Sequence, residues 1–470
     1  MRPVSKPRSP RVYRPPSVPW AVMEVHLEEA TFLWAQWEQA LWAPDYVLAE
    51  VAQGEERRLQ AHVDALVLGG RPVAERLLFP ALEGEEVMAI SAATLALLGA
   101  EDTDWRGSVL ELLTEGAEEV VAGIRRAVEL SPREDITPEL LRLLPSIEPS
   151  DDQARVLAVL RFRHADVSAV LRGLKLDESA SVRAEAVRAA RFASASVADG
   201  LIRLGLSDEE PVVRDAALEA GLVLGRRDAW SRCRKLVEDG GAVPRLALLA
   251  LALGGESRDL ELLVAALEEP ALRDEALWAL GFSGRLAAAD AAFQVLRVAG
   301  DRLATESFAA ITGLPLAAPF IEEEEEKTPE EEAFDEELAE EEQQPGEEEE
   351  QAGAAGDEAA QALLPGPAVL PGKVLAERVE QWWAEARKRF EPAGRYLRGQ
   401  PLTVELVRAA LESEPLRRRA ILGWELAIRS RGSCQLESRT WTHLQRRQLQ
   451  AVAGLRSEVL PRSFDRLLTG

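Results

Sequence analysis

Three stretches decide the fold: Asp177-Glu178-Ser179-Ala180-Ser181-Val182-Arg183, Asp208-Glu209-Glu210-Pro211-Val212-Val213-Arg214 and Asp239-Gly240-Gly241-Ala242-Val243-Pro244-Arg245. In each, an aspartate precedes an arginine by six residues, and successive stretches are 31 residues apart. The register extends in both directions. Leu171, Ile202 and Cys233 are spaced by 31 on the upstream side, and Val187, Leu218 and Leu249 by 31 on the downstream side. A fixed period of this length marks a repeat architecture.

Inside a unit the apolar spacing is helical. Val167, Val170, Leu171 and Leu174 follow i, i+3, i+4, i+7, as do Leu260, Leu263, Val264 and Leu267. Alanine, the best helix former, fills many other positions. Ala186, Ala190, Ala217 and Gly221 let neighbouring helices approach closely. Alternating β-branched runs and hairpin dipeptides are nearly absent. One helix pair cannot bury its apolar face alone, so the units must stack. Looser copies flank the core repeats. Upstream, Ala154-Arg155 opens one and weaker pairs lie at 72–99, 105–129 and 137–163. Downstream, Leu272-Arg273 precedes Ala276 to Leu280, and Glu306 precedes Phe308 to Ile311. The expected fold is all-α, an α-solenoid of about eight helix pairs.

Working outward, residues 1–22 hold six prolines and five basic groups with no acid, a composition that cannot sustain a helix. They also lack the apolar core of a signal peptide, and Met23 is an alternative start. Residues 23–70 read as a tryptophan-rich helical cap. Leu27, Ala30, Trp34, Trp37 and Leu41 form one stripe, and a second helix runs from Glu56 to Leu68, stopping at Gly69-Gly70. The cap is expected to seal the first repeat, with a partner-binding anchor as the alternative use of its tryptophans. The solenoid is assigned to 71–320. Residues 321–372 read as a disordered linker, first acidic and then Pro/Gly-rich. Residues 373–470 read as a small basic helical domain, with Arg417-Arg418-Arg419 on its surface.

The charge partition follows these boundaries. Of a net −26, the stretch 322–358 contributes −19, residues 373–470 contribute +8, and residues 23–321 about −20. So acidic a chain is a poor nucleic-acid ligand as a whole. The basic C-terminal domain has aromatic neighbours, one ingredient of nucleic-acid recognition, but no named motif accompanies them. An acidic protein, or an intramolecular contact with the chain's own acidic linker, is the better expectation. No apolar run approaches the roughly 18 to 20 residues of a membrane span. With no export signal and two unpaired cysteines, the default compartment is the cytoplasm.

A search for chemistry returns little. Phosphate-binding loops, dinucleotide fingerprints, nucleophile elbows and His-Glu-x-x-His are all absent. His26, Glu29, His62 and Asp64 could contribute metal ligands only if their helices converged, and the favoured reading is a packing or capping role. Cys233 takes the register position of Leu171 and Ile202 and is expected in the core. Cys434 follows Gly432-Ser433 and is the more reactive of the two by position. No catalytic residue, cofactor or metal is assigned.

The Asp-x5-Arg turn resembles the HEAT repeat in its short bacterial form. That resemblance implies that Asp177, Asp208 and Asp239 sit at the turn between paired helices. There they either cap the second helix or meet an arginine of their own or the adjacent repeat, with Arg183, Arg214 and Arg245 as turn partners. A narrower resemblance rests on His26 to Trp34, Ala43-Pro44-Asp45-Tyr46, Glu56 to Leu66, Phe308 to Leu314, Arg395 to Pro401 and Arg417 to Ala420. These resemble a family of uncharacterised bacterial HEAT-repeat proteins whose members are often encoded beside type VI secretion components. Val63, Ala65 and the acidic body depart from that family's pattern. The resemblance implies a non-enzymatic scaffold or adaptor that binds another protein, with a secretion component as the implied partner. The candidate partner surface is the concave row of second helices, at Arg183, Glu185, Arg188, Arg214, Glu219 and Arg273. The alternative from another class is an enzyme or enzyme auxiliary. Short HEAT-like repeats also resemble those of chromophore lyases, although nothing here marks a chromophore pocket.

Overall fold

A computed structural model of the chain describes residues 18–100, 103–148, 150–176, 179–322, 364–455 and 457–468. Residues 1–17 of the leader, Asp177 and most of the acidic linker therefore lie outside the described residues. Trp20 to Val22, placed in the non-helical leader by the prolines upstream, instead form the first turn of a helix that the last of those prolines, Pro19, immediately precedes. The described chain is an all-α solenoid; its only strands are two short antiparallel pairs.

The helices of eight residues or more begin with α1 (Trp20–Ala40), α2 (Glu55–Leu68), α3 (Val87–Gly99), α4 (Arg106–Glu115), α5 (Glu118–Leu130), α6 (Ile136–Leu143) and α7 (Asp151–Phe162). The repeats continue with α8 (Ala180–Ala189), α9 (Ala195–Gly205), α10 (Pro211–Val223), α11 (Arg227–Asp239), α12 (Arg245–Gly254), α13 (Ser257–Ala265), α14 (Arg273–Ser283), α15 (Leu286–Ala299) and α16 (Arg302–Thr312). The C-terminal segment supplies α17 (Ala376–Ala386), α18 (Val404–Ser413), α19 (Leu416–Arg429) and α20 (Thr442–Leu449).

The chain divides into two compact units. The first comprises residues 1–35 and 57–133, and the second 36–56 and 134–470. In the first unit α3 packs along α5. The stripe read from the sequence is real: Ala30 and Trp34 are fully buried. The helix ending at Leu68 does not end the helical run. Gly70 takes a left-handed φ of 61°, and the chain then resumes through short helical turns to Leu82.

In the second unit the even-spaced second helices form the inner stack. α7 packs on α8, α8 on α10, α12 on α14 and α14 on α16, with α9, α11, α13 and α15 outside them. Local signals set the helix starts. Ser179 accepts a hydrogen bond from the Val182 amide at 3.3 Å, Asp301 from Ala304 at 2.7 Å, and Pro211 fills the first position of α10. Ala184, Val187, Ile202, Ala216, Ala217 and Ala220 make one apolar cluster, and their small side chains permit the close helix approach. Cys233 lies in the neighbouring core, as its register position predicts.

That neighbouring core runs without a break from α10 through α16 into the C-terminal segment, ending at Leu467 and Leu468. Ile321–Glu322 (β1) pairs antiparallel with Lys373–Val374 (β2), so the two ends of the linker are clasped together. Tyr396–Leu397 (β3) pairs with Gln400–Pro401 (β4). The Pro/Gly spacer, expected to be disordered, is seated against the repeats from Leu364 onward. Arg245 donates to the Leu364 carbonyl at 3.1 Å, Trp278 Nε1 to Pro365 at 3.0 Å, and Arg417 to Gly366. A proline-rich segment has few amides to satisfy, so these side-chain donors to its carbonyls suffice to hold it.

The tryptophan-rich segment makes a further contact that its local pattern does not announce. Within the second unit, residues 36–56 engage the C-terminal segment. Trp37 packs on Trp441 with ring centroids 4.7 Å apart, and Arg439 lies 5.7 Å over Trp42. The buried Glu56 carboxylate accepts from Trp37 Nε1 at 3.3 Å, the Thr442 amide at 2.9 Å and the Thr442 hydroxyl at 2.6 Å.

Candidate functional site

The candidate surface residues fall into two groups: those that tie repeat to repeat, and one that borders an opening. Arg183 reaches forward to Asp208 of the next repeat, Nε to Oδ2 at 2.8 Å and Nη2 to Oδ1 at 3.1 Å. These hydrogen bonds hold the Asp208 carboxyl below its usual range. Asp208 also accepts the Glu210 amide at 3.0 Å, so it braces the turn rather than capping α10 from the N-cap position, which Glu210 occupies. Glu185 takes Arg161 at 3.1 Å and Arg188 at 2.6 Å. Burial opposes the charge of Glu185, but the two guanidinium groups outweigh it and keep the carboxyl below its ordinary value. Glu219, itself buried, takes Arg191 at 2.7 Å. Arg245 pairs with Glu275 at 2.7 Å. Arg183, Glu185, Arg188 and Glu219 are thus occupied within the stack. Asp239 is exposed at the last residue of α11, and Arg273 is half-buried at the first residue of α14. Asp177 lies outside the described residues.

The carboxyl ends of the second helices form a row that the C-terminal segment fills. Each helix end leaves backbone carbonyls without intrahelical partners and a partial negative charge. Arg429 donates to Leu253 at the end of α12 at 2.8 Å. At the end of α14, Arg395 donates to Ser283 at 3.0 Å, Arg418 to Gly281 at 3.1 Å, and the Tyr396 amide to Gly284 at 2.7 Å. At the end of α16, the Arg398 and Gly399 amides donate to Ala310 and Ile311 at 2.8 and 2.9 Å. Gly284 and Gly313 close these ends with left-handed φ of 67° and 76°. A Cβ there would sit 2.6 Å from the Tyr396 or Arg398 carbonyl oxygen, so both conformation and space require glycine.

These contacts correct the picture of a basic surface. Arg417, Arg418 and Arg419 are 8%, 1% and 0% exposed. Burial pushes Arg417, Arg419 and Arg429 down to about 10, which still leaves them charged at neutral pH. Glu414 and Glu425 supply counter-charges, Glu425 at 2.7 Å from Arg395 and 2.6 Å from Arg429. The acceptors of this arginine set all lie within the chain: helix-end carbonyls, these two glutamates, the Gly366 carbonyl of the spacer, Gln445, and the Val459, Leu460 and Arg462 carbonyls of the C-terminal segment. Cys434 is also buried, and burial raises its thiol pKa, so the loop position does not make it reactive. His26 and His62 do converge, with Nδ1 atoms 3.1 Å apart, but no group of three metal-ligating side chains gathers among the described residues.

One second-helix junction differs from the rest. α10 packs on α11 and α11 on α12, while α10 and α12 approach each other less closely than the other successive second helices do. A cleft of about 370 Å³ opens between α10, α11 and the loop that leads into α12. Pro211, Arg214, Asp215 and Leu218 line it from one face of α10, at i, i+3, i+4, i+7. Arg232 and Leu236 line it from α11, and Leu206, Ala242, Val243 and Pro244 complete it. Asp215 stands 31 residues from Ala184 and from Leu246, so a carboxylate occupies a position that is apolar in both adjoining repeats. Burying it against a neighbouring helix would leave a charge without a partner. The loop before α12 departs as well, with Gly240 and Gly241 at φ of 70° and 84° and Pro244 as the N-cap.

Of the candidate surface residues, Arg214 is the one that lines this cleft. Its Nη1 donates to the Asp208 and Glu209 carbonyls at 2.9 and 2.6 Å, which fixes it at the rim. Asp215 makes no hydrogen bond or ion pair among the described residues. Burial raises its pKa, against the opposing pull of Arg214 and Arg188. Val212, beside Pro211 in sequence, is 42% exposed, and Leu204, two residues before Leu206, is 73% exposed.

No family model matches the chain, and no curated protein matches it. Among solved structures, the chain is similar to human deoxyhypusine hydroxylase in complex with glycerol, at 18% identity and a TM-score of 0.21, over 62% of this chain and 96% of that one. A likeness this low transfers no site and no activity.

Proposed function

We propose that the chain is a non-enzymatic protein-binding scaffold of the cytoplasm, and that its docking site is the cleft formed by α10, α11 and the loop leading into α12. The observation that supports this reading is the amphipathic opening of about 370 Å³ beside Asp215, lined by α10, α11 and the loop before α12. Side-chain-sized openings of this kind, mostly apolar with a few convergent polar groups, are where ligands bind. The carbonyl ends of α12, α14 and α16 offer no comparable vacancy, because the C-terminal segment covers them. The resemblance of the end segments to HEAT-repeat proteins encoded beside type VI secretion components supports a partner from that apparatus.

Affinity purification from the native cell, with wild type and Val243→Trp compared by mass spectrometry, tests this. A secretion component retained by the wild type and lost from the variant, with both proteins melting alike, is the expected result. Equal retention by the variant, or substrate turnover by the purified protein, would contradict it.

A further inference from the structure

We propose that the cleft between α10, α11 and the loop before α12 takes a basic segment of a partner protein, seating one aliphatic side chain among Leu206, Leu218, Leu236 and Val243 while a neighbouring lysine or arginine pairs with Asp215. This rests on the reading of the cleft as the docking site and adds the chemistry of the occupant. The apolar wall is built from four segments, the turn after α9, α10, α11 and the loop before α12, so it presents a concave seat rather than a flat patch.

The charge argument selects the sign of the occupant. Of the lining ionic groups, Arg214 is already committed to the turn carbonyls, and Arg232 is exposed and needs no partner. Asp215 is the half-buried charge with its accepting capacity open. A cation placed on it forms a charge-assisted hydrogen bond in a partly desolvated site, where such bonds are strongest. The surrounding residues 23–321 carry about −20, which attracts a basic segment from a distance and repels an acidic one.

The test is selection of a phage-displayed random peptide library on the immobilised full-length chain, with parallel selection on Val243→Trp, whose indole fills the cleft. The expected consensus places Leu, Ile or Val within a few residues of Lys or Arg, and is absent on the filled variant. For an enriched peptide, Asp215→Asn should weaken binding about 10-fold, the size of one charge-assisted hydrogen bond, and raising the salt should weaken it further. Circular dichroism melts of both variants matching the wild type keep misfolding out of the comparison. Cleft-dependent peptides with an acidic or neutral consensus, or with affinity indifferent to Asp215→Asn, would overturn the basic-segment assignment while leaving the docking site in place. Peptides that bind Val243→Trp as well as the wild type would overturn the docking site itself.

Discussion

The carboxyl ends of α12, α14 and α16 and the stacking face of α10 both expose groups that a packed solenoid cannot leave alone, yet they are resolved in opposite ways. At the helix ends the groups are carbonyls. Buried arginines and backbone amides of the C-terminal segment reach them at 2.7 to 3.1 Å, so that face is sealed by the chain itself. On α10 the group is the Asp215 carboxylate, which has no internal donor, and the neighbouring helix stands off. An internal partner turns a polar feature into architecture; its absence leaves a site.

The largest effect that could break this contrast is at Arg429, which is 3% exposed and joins Leu253 to Glu425. Arg429→Ala strips a cation from a buried pair and should cost about 3–5 kcal/mol in chemical denaturation. A cost below about 1 kcal/mol would mean that the arginines merely decorate a surface.

The next effect is a pH dependence. His164 lies against Phe192, with ring centroids 4.4 Å apart, and burial, then Arg191 and Arg161, push it down to about 4. Folded protein therefore keeps it neutral while unfolded chains protonate near 6.5. Its contribution is fully present above pH 6.5 and is lost as the pH falls towards 4, an effect of up to about 3 kcal/mol. His164→Asn, which tolerates the local φ of 53°, should flatten that part of the stability profile.

Gly313→Ala adds a Cβ at a left-handed φ and 2.6 Å from the Arg398 carbonyl. A loss of about 1–3 kcal/mol, read from the thermal midpoint, is expected. The smallest effects sharpen the comparison from the other side. Asp215→Asn and Arg232→Ala should each change stability by less than about 0.5 kcal/mol, because neither has an internal partner to lose. A large loss in either would show that the cleft is structural.

Much of the repeat region was legible in the sequence. The 31-residue register placed Cys233 in the core, and the Leu260 to Leu267 spacing falls on α13 and its closing turn, whereas only Ser168–Leu171 of the Val167 to Leu174 stretch is helical. The turn reading was legible in part. Arg183 does meet Asp208 of the adjacent repeat, whereas the capping was done by Ser179 and the turn by Asp208 as a brace. What the sequence concealed was the destination of long-range contacts. Arg417-Arg418-Arg419 looks like a solvated basic run because its acceptors, helix-end carbonyls more than 100 residues away for Arg418, leave no trace in composition. The spacer from Leu364 looked disordered because its bonds come from side chains of other segments. The tryptophan cap carries the right stripe, but Trp37 meets Trp441, a pairing no local pattern announces. Two further long-range contacts are equally silent in the local pattern: Tyr46 accepts from the Leu416 amide at 2.9 Å, and Ala310 from the Arg398 amide at 2.8 Å. The cleft did leave a signal. Asp215 breaks an apolar register position shared by Ala184 and Leu246, and the Gly-Gly-x-x-Pro loop departs from its siblings at the same place.

Hydrogen–deuterium exchange of the full chain, resolved to single amides, tests the contrast most directly. The amides of Tyr396, Arg398 and Gly399, bonded to helix-end carbonyls, should exchange only with global unfolding, while those of Gly240 to Val243, which make no backbone hydrogen bond among the described residues, should exchange within seconds. Fast exchange at Tyr396, Arg398 and Gly399, matching the cleft loop, would mean that the C-terminal segment leaves the helix ends open, and the distinction between a sealed face and an open site would fall.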